Sequence, residues 1–265
     1  MTQLAGKVAI VTGSTQGLGE GIAVALANAG ASVIANGRSA ARGANVMSRL
    51  GEIGGDHRFI AADVSIEAEA KRLVEEAAAH AGRIDILINN AQSIAPSARL
   101  EDGGRSAAFA ETLASGLYAS LWTAQAALPF MRATGGGRIV NFGSINGVYG
   151  AKFGSHYNAT KEAMRGLTAT MANEWGQYGI TVNMVLPAGL SPTFEAFIAL
   201  DPARGEAMAR QHPMRRHGRS EEDVGAAVVG LVSDHARFIT GQALFLDGGA
   251  NLLGLPQFNV LEDAA

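Results

Sequence analysis

Three side chains and one turn carry the chemistry this sequence could perform. Tyr157 and Lys161 are four residues apart in an Ala-rich stretch, so on a helix they share a face. A phenol held near an ammonium gains stabilisation of its phenolate, which lowers its pKa and suits it to general acid/base work. Ser144 follows the β-branched run Arg138–Phe142, where its hydroxyl could donate to the same carbonyl oxygen and stabilise developing negative charge. Taken alone, Tyr-x-x-x-Lys also describes an ordinary amphipathic helix, and Ser144 an ordinary turn residue. The turn is Thr12-Gly13-Ser14-Thr15-Gln16-Gly17-Leu18-Gly19, between an apolar run and a helical pattern. Its glycines let the backbone bend tightly and approach a pyrophosphate at a helix start, although a tight turn with close helix packing would read the same way.

These groups meet only if the chain folds to bring them together. Short β-branched runs at Val8–Thr12, Ser32–Asn36, Arg58–Ala62, Ile84–Asn89, Arg138–Phe142, Thr181–Leu186 and Ala243–Leu246 alternate with longer Ala-rich stretches. The latter, at Gly17–Ala29, Ala40–Leu50, Ile66–His80, Ser106–Arg132, Ser155–Tyr178 and Glu221–Ser233, read as helices. That rhythm predicts repeated βαβ units: an α/β Rossmann architecture with a doubly wound, parallel seven-stranded sheet and helices on both faces. No linker, charge block or repeat divides residues 1–265, so a single domain is expected. Residues 188–219 break the rhythm with three prolines and several apolar side chains, and read as a lid. The stretch 250–265 is too apolar for a free tail and is expected to cover a pocket, its own or a neighbour's.

Composition excludes several functions. Lys plus Arg is 21 and Asp plus Glu 24, a net charge of −3 without a basic block, which argues against nucleic acid as a partner. At 48 % hydrophobic and 17 % charged the chain is globular, and no apolar run is long enough to span a bilayer. The first residues show no export pattern, so a cytoplasmic location is expected. The absence of cysteine removes disulfides, thiolate metal sites and a Cys nucleophile, and no metal site is expected.

The ordered set of motifs resembles the short-chain dehydrogenase/reductase family, in its branch of about 250 residues. The matching pieces are the turn Thr12–Gly19, Asp63-Val64, Asn89-Asn90-Ala91, the run Ile139–Ser144, Tyr157-Asn158-Ala159-Thr160-Lys161, Asn183 and Asp247-Gly248-Gly249. The resemblance implies hydride transfer between a nicotinamide and a ketone or secondary alcohol, as in ketoreductases and alcohol dehydrogenases. It assigns Tyr157 as general acid/base, Lys161 as the group that lowers its pKa and binds the nicotinamide ribose, and Ser144 as the residue that positions the carbonyl. It gives the cofactor Gly13, Ser14, Thr15, Gln16, Gly17, Leu18, Gly19, Asn36, Gly37, Arg38, Asp63, Val64, Asn90, Ala91, Gln92, Pro187, Ala188 and Leu190, together with Tyr157 and Lys161. The three-residue gap between Tyr157 and Lys161 points away from the enoyl reductase branch. A homotetramer or homodimer built on the helices Ser106–Arg132 and Ser155–Tyr178 is implied as well.

At the end of the second strand, Ala35-Asn36-Gly37-Arg38-Ser39 holds no acid to bind a ribose 2′-hydroxyl and does hold a guanidinium suited to a 2′-phosphate, so NADP(H) is favoured and NAD(H) remains possible. Apolar residues of the lid, Leu190, Phe194, Phe197 and Ile198, with Ile145, Tyr149 and Phe153 after the serine, suggest a hydrophobic substrate. Gln92 and Asn146 would give that pocket polar contacts. Three positions depart from the family pattern. Gln92 stands where the family has Gly, and Gly116 stands where it has a catalytic Asn that holds a proton-relay water. The Thr expected five positions after Pro187 is Pro192, with Thr193 one residue late. Loss of the Asn is expected to slow proton relay, with Ser120 a possible substitute, and an Asn restored at 116 is expected to speed turnover. The alternative to an enzyme is a nucleotide-binding module with little turnover.

Overall fold

The computed structural model describes residues 3–103, 105–189 and 192–253, apart from the side chains of Pro192, Thr193, Phe197, Gln211 and Leu253. Seven strands alternate with helices: β1 (Val8–Val11), α1 (Gly17–Asn28), β2 (Ser32–Gly37), α2 (Ala40–Ile53), β3 (Arg58–Ala61), α3 (Glu67–Ala81) and β4 (Ile86–Asn89). Next come α4 (Ser106–Leu113), α5 (Ala119–Ala133), β5 (Gly137–Phe142), α6 (Ile145–Tyr149), α7 (Ser155–Trp175) and β6 (Ile180–Pro187). The remaining elements are α8 (Pro192–Leu200), α9 (Pro202–Gln211), α10 (Ala226–Val232) and β7 (Ala243–Leu246). All pairings are parallel, in the order β3-β2-β1-β4-β5-β6-β7.

The central strands lack polar alternation because both faces are covered. Side-chain alternation sends Ala9 and Val11 of β1 to one face, against Ile22 and Leu26 of α1 and Val228 of α10. Val8 and Ile10 point the other way, toward Leu73 and Val74 of α3 and Ala127 and Met131 of α5. Strand order reverses between β1 and β4, and the carboxyl ends of strands on either side of such a switch diverge to leave a crevice.

Two expected helices are interrupted. A π turn, Ala114–Tyr118, divides the stretch expected as one helix into α4 and α5, and a second, Ser220–Gly225, precedes α10. The segment 188–219 is more regular than its prolines suggest, because Pro192 and Pro202 open helices rather than break them. Proline lacks the N–H that a first helical turn leaves unpaired anyway, and Asp201 caps α9 by accepting from Arg204 N at 3.0 Å. The two stems of this segment meet in a lone bridge between Gly189 and Gly218, where Gly218 N donates to Ala188 O at 3.2 Å. A Cβ on Gly218 would lie 2.9 Å from Ala188 O, so the approach needs glycine. The apolar stretch 250–265 lies outside the described residues beyond Leu253.

Candidate active site

The crevice at the β1/β4 switch is a cleft of about 1120 Å³. One end is built by the turn after β1. Gly13 and Gly17 have φ of 63° and 57°, left-handed values that side chains disfavour. Asn90, just past β4, ties this turn down: its Nδ2 donates to Thr12 O and Gly13 O, each at 3.0 Å. Thr12 Oγ1 accepts in return from Asn90 N at 3.0 Å and Ala91 N at 3.1 Å. Gln16 precedes α1 without a side-chain cap, and the positive dipole end of α1 lies on the cleft wall at Gly17, Leu18 and Gly19.

Of the residues expected to hold a cofactor, Gly13, Thr15, Gln16, Gly17, Leu18, Gly19, Asn36 and Gly37 line the cleft. Arg38, Asp63, Val64, Asn90, Ala91, Gln92 and Tyr157 line it too. Asn36 is nonetheless a scaffold residue. It is buried, with Nδ2 on Ile60 O and Ala62 O at 3.1 and 3.2 Å and Oδ1 accepting from Gly13 N at 3.4 Å. Ser14 is fully buried and receives Asn36 N at 2.9 Å, and therefore braces the turn from behind. Pro187 ends β6, and Ala188 faces a separate cavity of about 300 Å³ beside Met214 and Arg216. Leu190 lies outside the described residues.

Arg38 Nη1 is 3.7 Å from Asp63 Oδ2, an exposed and weak pairing. A second arginine, Arg42, joins the wall without having stood among the residues expected there. It sits in the first turn of α2, where Ser39 Oγ caps its backbone N–H at 3.3 Å, and its Nη1 donates to Gln16 Oε1 at 2.9 Å on the cleft wall. The cap signal at Ser39 could have placed it, since a residue three past an N-cap turns back over the preceding loop.

At the other end stand the three catalytic candidates. Ser144 leaves β5 as the N-cap of α6, its Oγ accepting from Asn146 N at 3.2 Å. Tyr157 and Lys161 share one face of α7. Burial raises the Tyr157 phenol above its ordinary value, and the hydrogen-bonding pull of the Ser144 hydroxyl works the other way. Lys161 is buried behind it, with Nζ donating to Phe142 O at 2.7 Å and standing 5.5 Å from the Tyr157 ring centre. Desolvation lowers its ammonium to about 7. At Tyr157 burial outweighs the Ser144 hydrogen bond, while the Lys161 ammonium is directed to the Phe142 carbonyl.

Beneath the site runs a closed network of buried polar groups. Thr123 Oγ1 donates to Asn89 Oδ1 at 2.8 Å, Asn89 Nδ2 to Asn141 Oδ1 at 2.9 Å, and Asn141 Nδ2 to Thr168 Oγ1 at 2.9 Å. It locks α5, β4, β5 and α7 in register below the reacting groups. His156 is structural, bridging Arg105 Nη2 at 3.0 Å and Ala95 O at 3.2 Å.

Among the expected substrate contacts, Gln92, Asn146 and Phe194 line the cleft. Ile145, Tyr149 and Phe153 do not: Tyr149 Oη is drawn to Asn251 O at 2.6 Å, and Phe153 is half exposed beside the loop that its carbonyl anchors through Ala98 N. Ser115, at the start of the π turn, joins the wall instead. Ser120 cannot replace the missing Asn, because it is buried and its Oγ donates to Gly116 O at 2.8 Å. An Asn restored at 116 has no room either, since a Cβ there would collide with the Gln92 amide.

Comparisons with known proteins agree with this architecture. The family model described as Enoyl-(Acyl carrier protein) reductase matches residues 13–251. A 12alpha-hydroxysteroid dehydrogenase of Clostridium sp. is 36% identical over 251 residues, which cover 92% of this chain and 96% of that protein. An L-fucose dehydrogenase of Oryctolagus cuniculus is 35% identical over 258 residues, 96% of this chain and 88% of its own. Among solved structures, a 7 alpha-hydroxysteroid dehydrogenase complexed with NADH and 7-oxo glycochenodeoxycholic acid superposes with a TM-score of 0.87 at 30% identity, covering 97% of both chains. Relatives matched along almost their whole length, on a seven-stranded Rossmann sheet of this order, make the chain a member of the short-chain dehydrogenase/reductase family of NAD(P)-dependent oxidoreductases.

Proposed function

We propose that this protein transfers a hydride between a nicotinamide cofactor, NADP(H) by preference, and a ketone or secondary alcohol on a hydrophobic small molecule. The observation that carries the reading is the Tyr157 phenol on the cleft wall, paired with Ser144 and backed by Lys161, across from an uncapped helix start. When bound, the cofactor supplies or accepts hydride at C4 of its nicotinamide. Kept protonated at neutral pH by burial, Tyr157 gives its proton to the carbonyl oxygen in the reducing direction. Ser144 donates a hydrogen bond to the same oxygen and steadies its developing charge. With a pKa of about 7, Lys161 Nζ can both carry and release a proton at working pH, which suits it to reload the phenol.

The cleft fits a dinucleotide. The positive dipole end of α1 suits a pyrophosphate, and Val64 and Asp63 supply an apolar and a polar side for the adenine end. Preference for NADP(H) is supported by two guanidiniums, Arg38 and Arg42, on the cleft wall at the end of β2, where no carboxylate replaces Asn36. A hydrophobic substrate is supported by Phe194 on the cleft wall and by the steroid relatives. An assembly of two or four copies and a single catalytic domain belong to the same proposal.

Fluorescence titration with NADPH and NADH, followed by a panel of cyclohexanone, acetophenone and a 12-oxo bile acid read at the nicotinamide absorbance, tests it. Tighter NADPH binding, turnover on a member of the panel and loss of that turnover in Tyr157→Phe are expected. Equal turnover by Tyr157→Phe and wild type would remove the acid/base role.

A further inference from the structure

Gly116 is a glycine for want of room rather than for backbone freedom. Its φ is not left-handed, yet a Cβ there would collide with Gln92 Oε1 and lie 2.8 Å from Thr160 Cγ2. The volume that a side chain at 116 would fill is occupied by an amide that reaches in from the loop after β4. The two hydrogens of Gln92 Nε2 are shared among three acceptors, Thr112 O at 3.0 Å, Ser93 O at 3.0 Å and Ser115 Oγ at 3.1 Å. Two of these acceptors belong to the junction between α4 and the π turn. A π turn interrupts the helical ladder, and carbonyls around the interruption take other donors. Here Ser115 Oγ bonds Glu111 O at 2.9 Å, and the Gln92 amide bonds Thr112 O.

Gly116 of the same π turn also faces α7. Thr160, whose methyl faces Gly116, lies between Tyr157 and Lys161 in sequence, and its hydroxyl is turned back to His156 O at 2.8 Å. Gln92 Oε1 is buried there without a donor among the described residues.

We propose that Gln92 is a positioning residue for the acid/base pair: its amide pins the π turn, whose Gly116 faces Thr160 of α7, and thereby sets where Tyr157 and Lys161 stand relative to the cleft. Gln92 and Gly116 form one device in two parts, an amide and the space for it. The proposal rests on Tyr157 and Lys161 acting as described above. Its consequence is that the amide and the space beside it are coupled, so the effects of changing the two residues do not add.

The test is a double-mutant cycle of Gln92→Gly, Gly116→Asn and the two combined, with Tyr157→Phe as the control for the chemistry. The readout is reduction by NADPH of the fastest ketone of the panel. Gly116→Asn puts two amides in one space, and a displacement on the order of 1 Å can lower kcat by about a hundredfold. Gln92→Gly should lower kcat by about tenfold while the Kd for NADPH stays within about twofold, since the dinucleotide's phosphate end is untouched. The double variant removes the crowding and should fall no lower than Gln92→Gly itself, as should Gln92→Gly combined with Gly116→Ala, which carries no relay amide, a coupling that independent sites do not show. A merely structural Gln92 would instead lower Tm and leave kcat unchanged well below it. Single losses that simply multiply in the double variant, or a Gln92→Gly enzyme with wild-type kcat, overturn the proposal. Full activity in Tyr157→Phe would instead bring down the acid/base reading beneath it. Should Gln92→Gly not fold, Gly116→Ala presses on the same contact with one methyl: a lowered kcat with folded circular dichroism supports the proposal, and an unchanged kcat overturns it.

Discussion

Lys161→Met measures what a buried ammonium costs this fold. In the native protein Nζ is buried against Phe142 O at 2.7 Å, and desolvation brings the group from 10.5 down to about 7. Each pH unit of that gap corresponds to about 1.4 kcal/mol, so the buried charge costs on the order of 5 kcal/mol. The sign follows from proton counting. An unfolded chain keeps this proton up to about pH 10.5, whereas the folded one releases it near 7, so between those limits the unfolded state binds more protons and stability rises with pH. Below the lower limit the whole cost stands; above the upper one it is gone. Methionine removes the charge at every pH but leaves the Phe142 carbonyl without its donor, a pH-independent loss of about 1–3 kcal/mol. The variant should therefore be more stable than wild type by roughly 2–4 kcal/mol at neutral pH. The advantage should shrink across this window, vanish before the upper limit is reached and reverse above it. Urea unfolding followed by circular dichroism, at pH values below, between and above the two limits, reads this directly. A difference between the proteins that is the same at all three would refute the assignment of a depressed lysine.

Two further perturbations test the scaffold and the cofactor end. Thr168→Val keeps the shape of the side chain but leaves the buried Asn141 Nδ2 without its acceptor, and should destabilise by about 1–3 kcal/mol in urea, against almost nothing for exposed Thr170→Val on the same helix. Arg42→Ala and Arg38→Ala should each weaken NADPH binding by about tenfold and leave NADH within about twofold, with the loss shrinking as salt rises. An equal loss for both nucleotides would mean that the guanidiniums serve the shared part of the cofactor.

Much of this architecture is legible in the unfolded chain, and what is not has identifiable causes. β-Branched runs buried on both faces announce parallel strands, and Tyr157 and Lys161 announce their helix face by spacing alone. The π turn at Ala114–Tyr118 leaves no such mark, because Ala114, Ser115 and Leu117 would continue a helix and the interruption comes with an amide twenty residues away in sequence at Gln92. Spacing puts Lys161 beside the phenol; that it turns to Phe142 O depends on the distance between β5 and α7, which no local pattern encodes. Pro192 and Pro202 look like breakers in a string of residues, although at a first helical turn the same residue is a starter. Arg42 carries no mark of its own, because a lone arginine at a helix start has no signature until Gln16 is seen beside it.

The single bridge between Gly189 and Gly218 has an evolutionary side. Because the stems of the α8–α9 segment close on each other there, the segment leaves and rejoins the fold at one place, with Met214 N on Gly248 O at 3.3 Å as a further tie. Lengthening such a closed loop is cheap, about 0.6 kcal/mol for each doubling. A lineage carrying this sheet can therefore exchange the whole insert, and with it the surface that meets a substrate, while the proton-handling residues on β5 and α7 stay under separate selection.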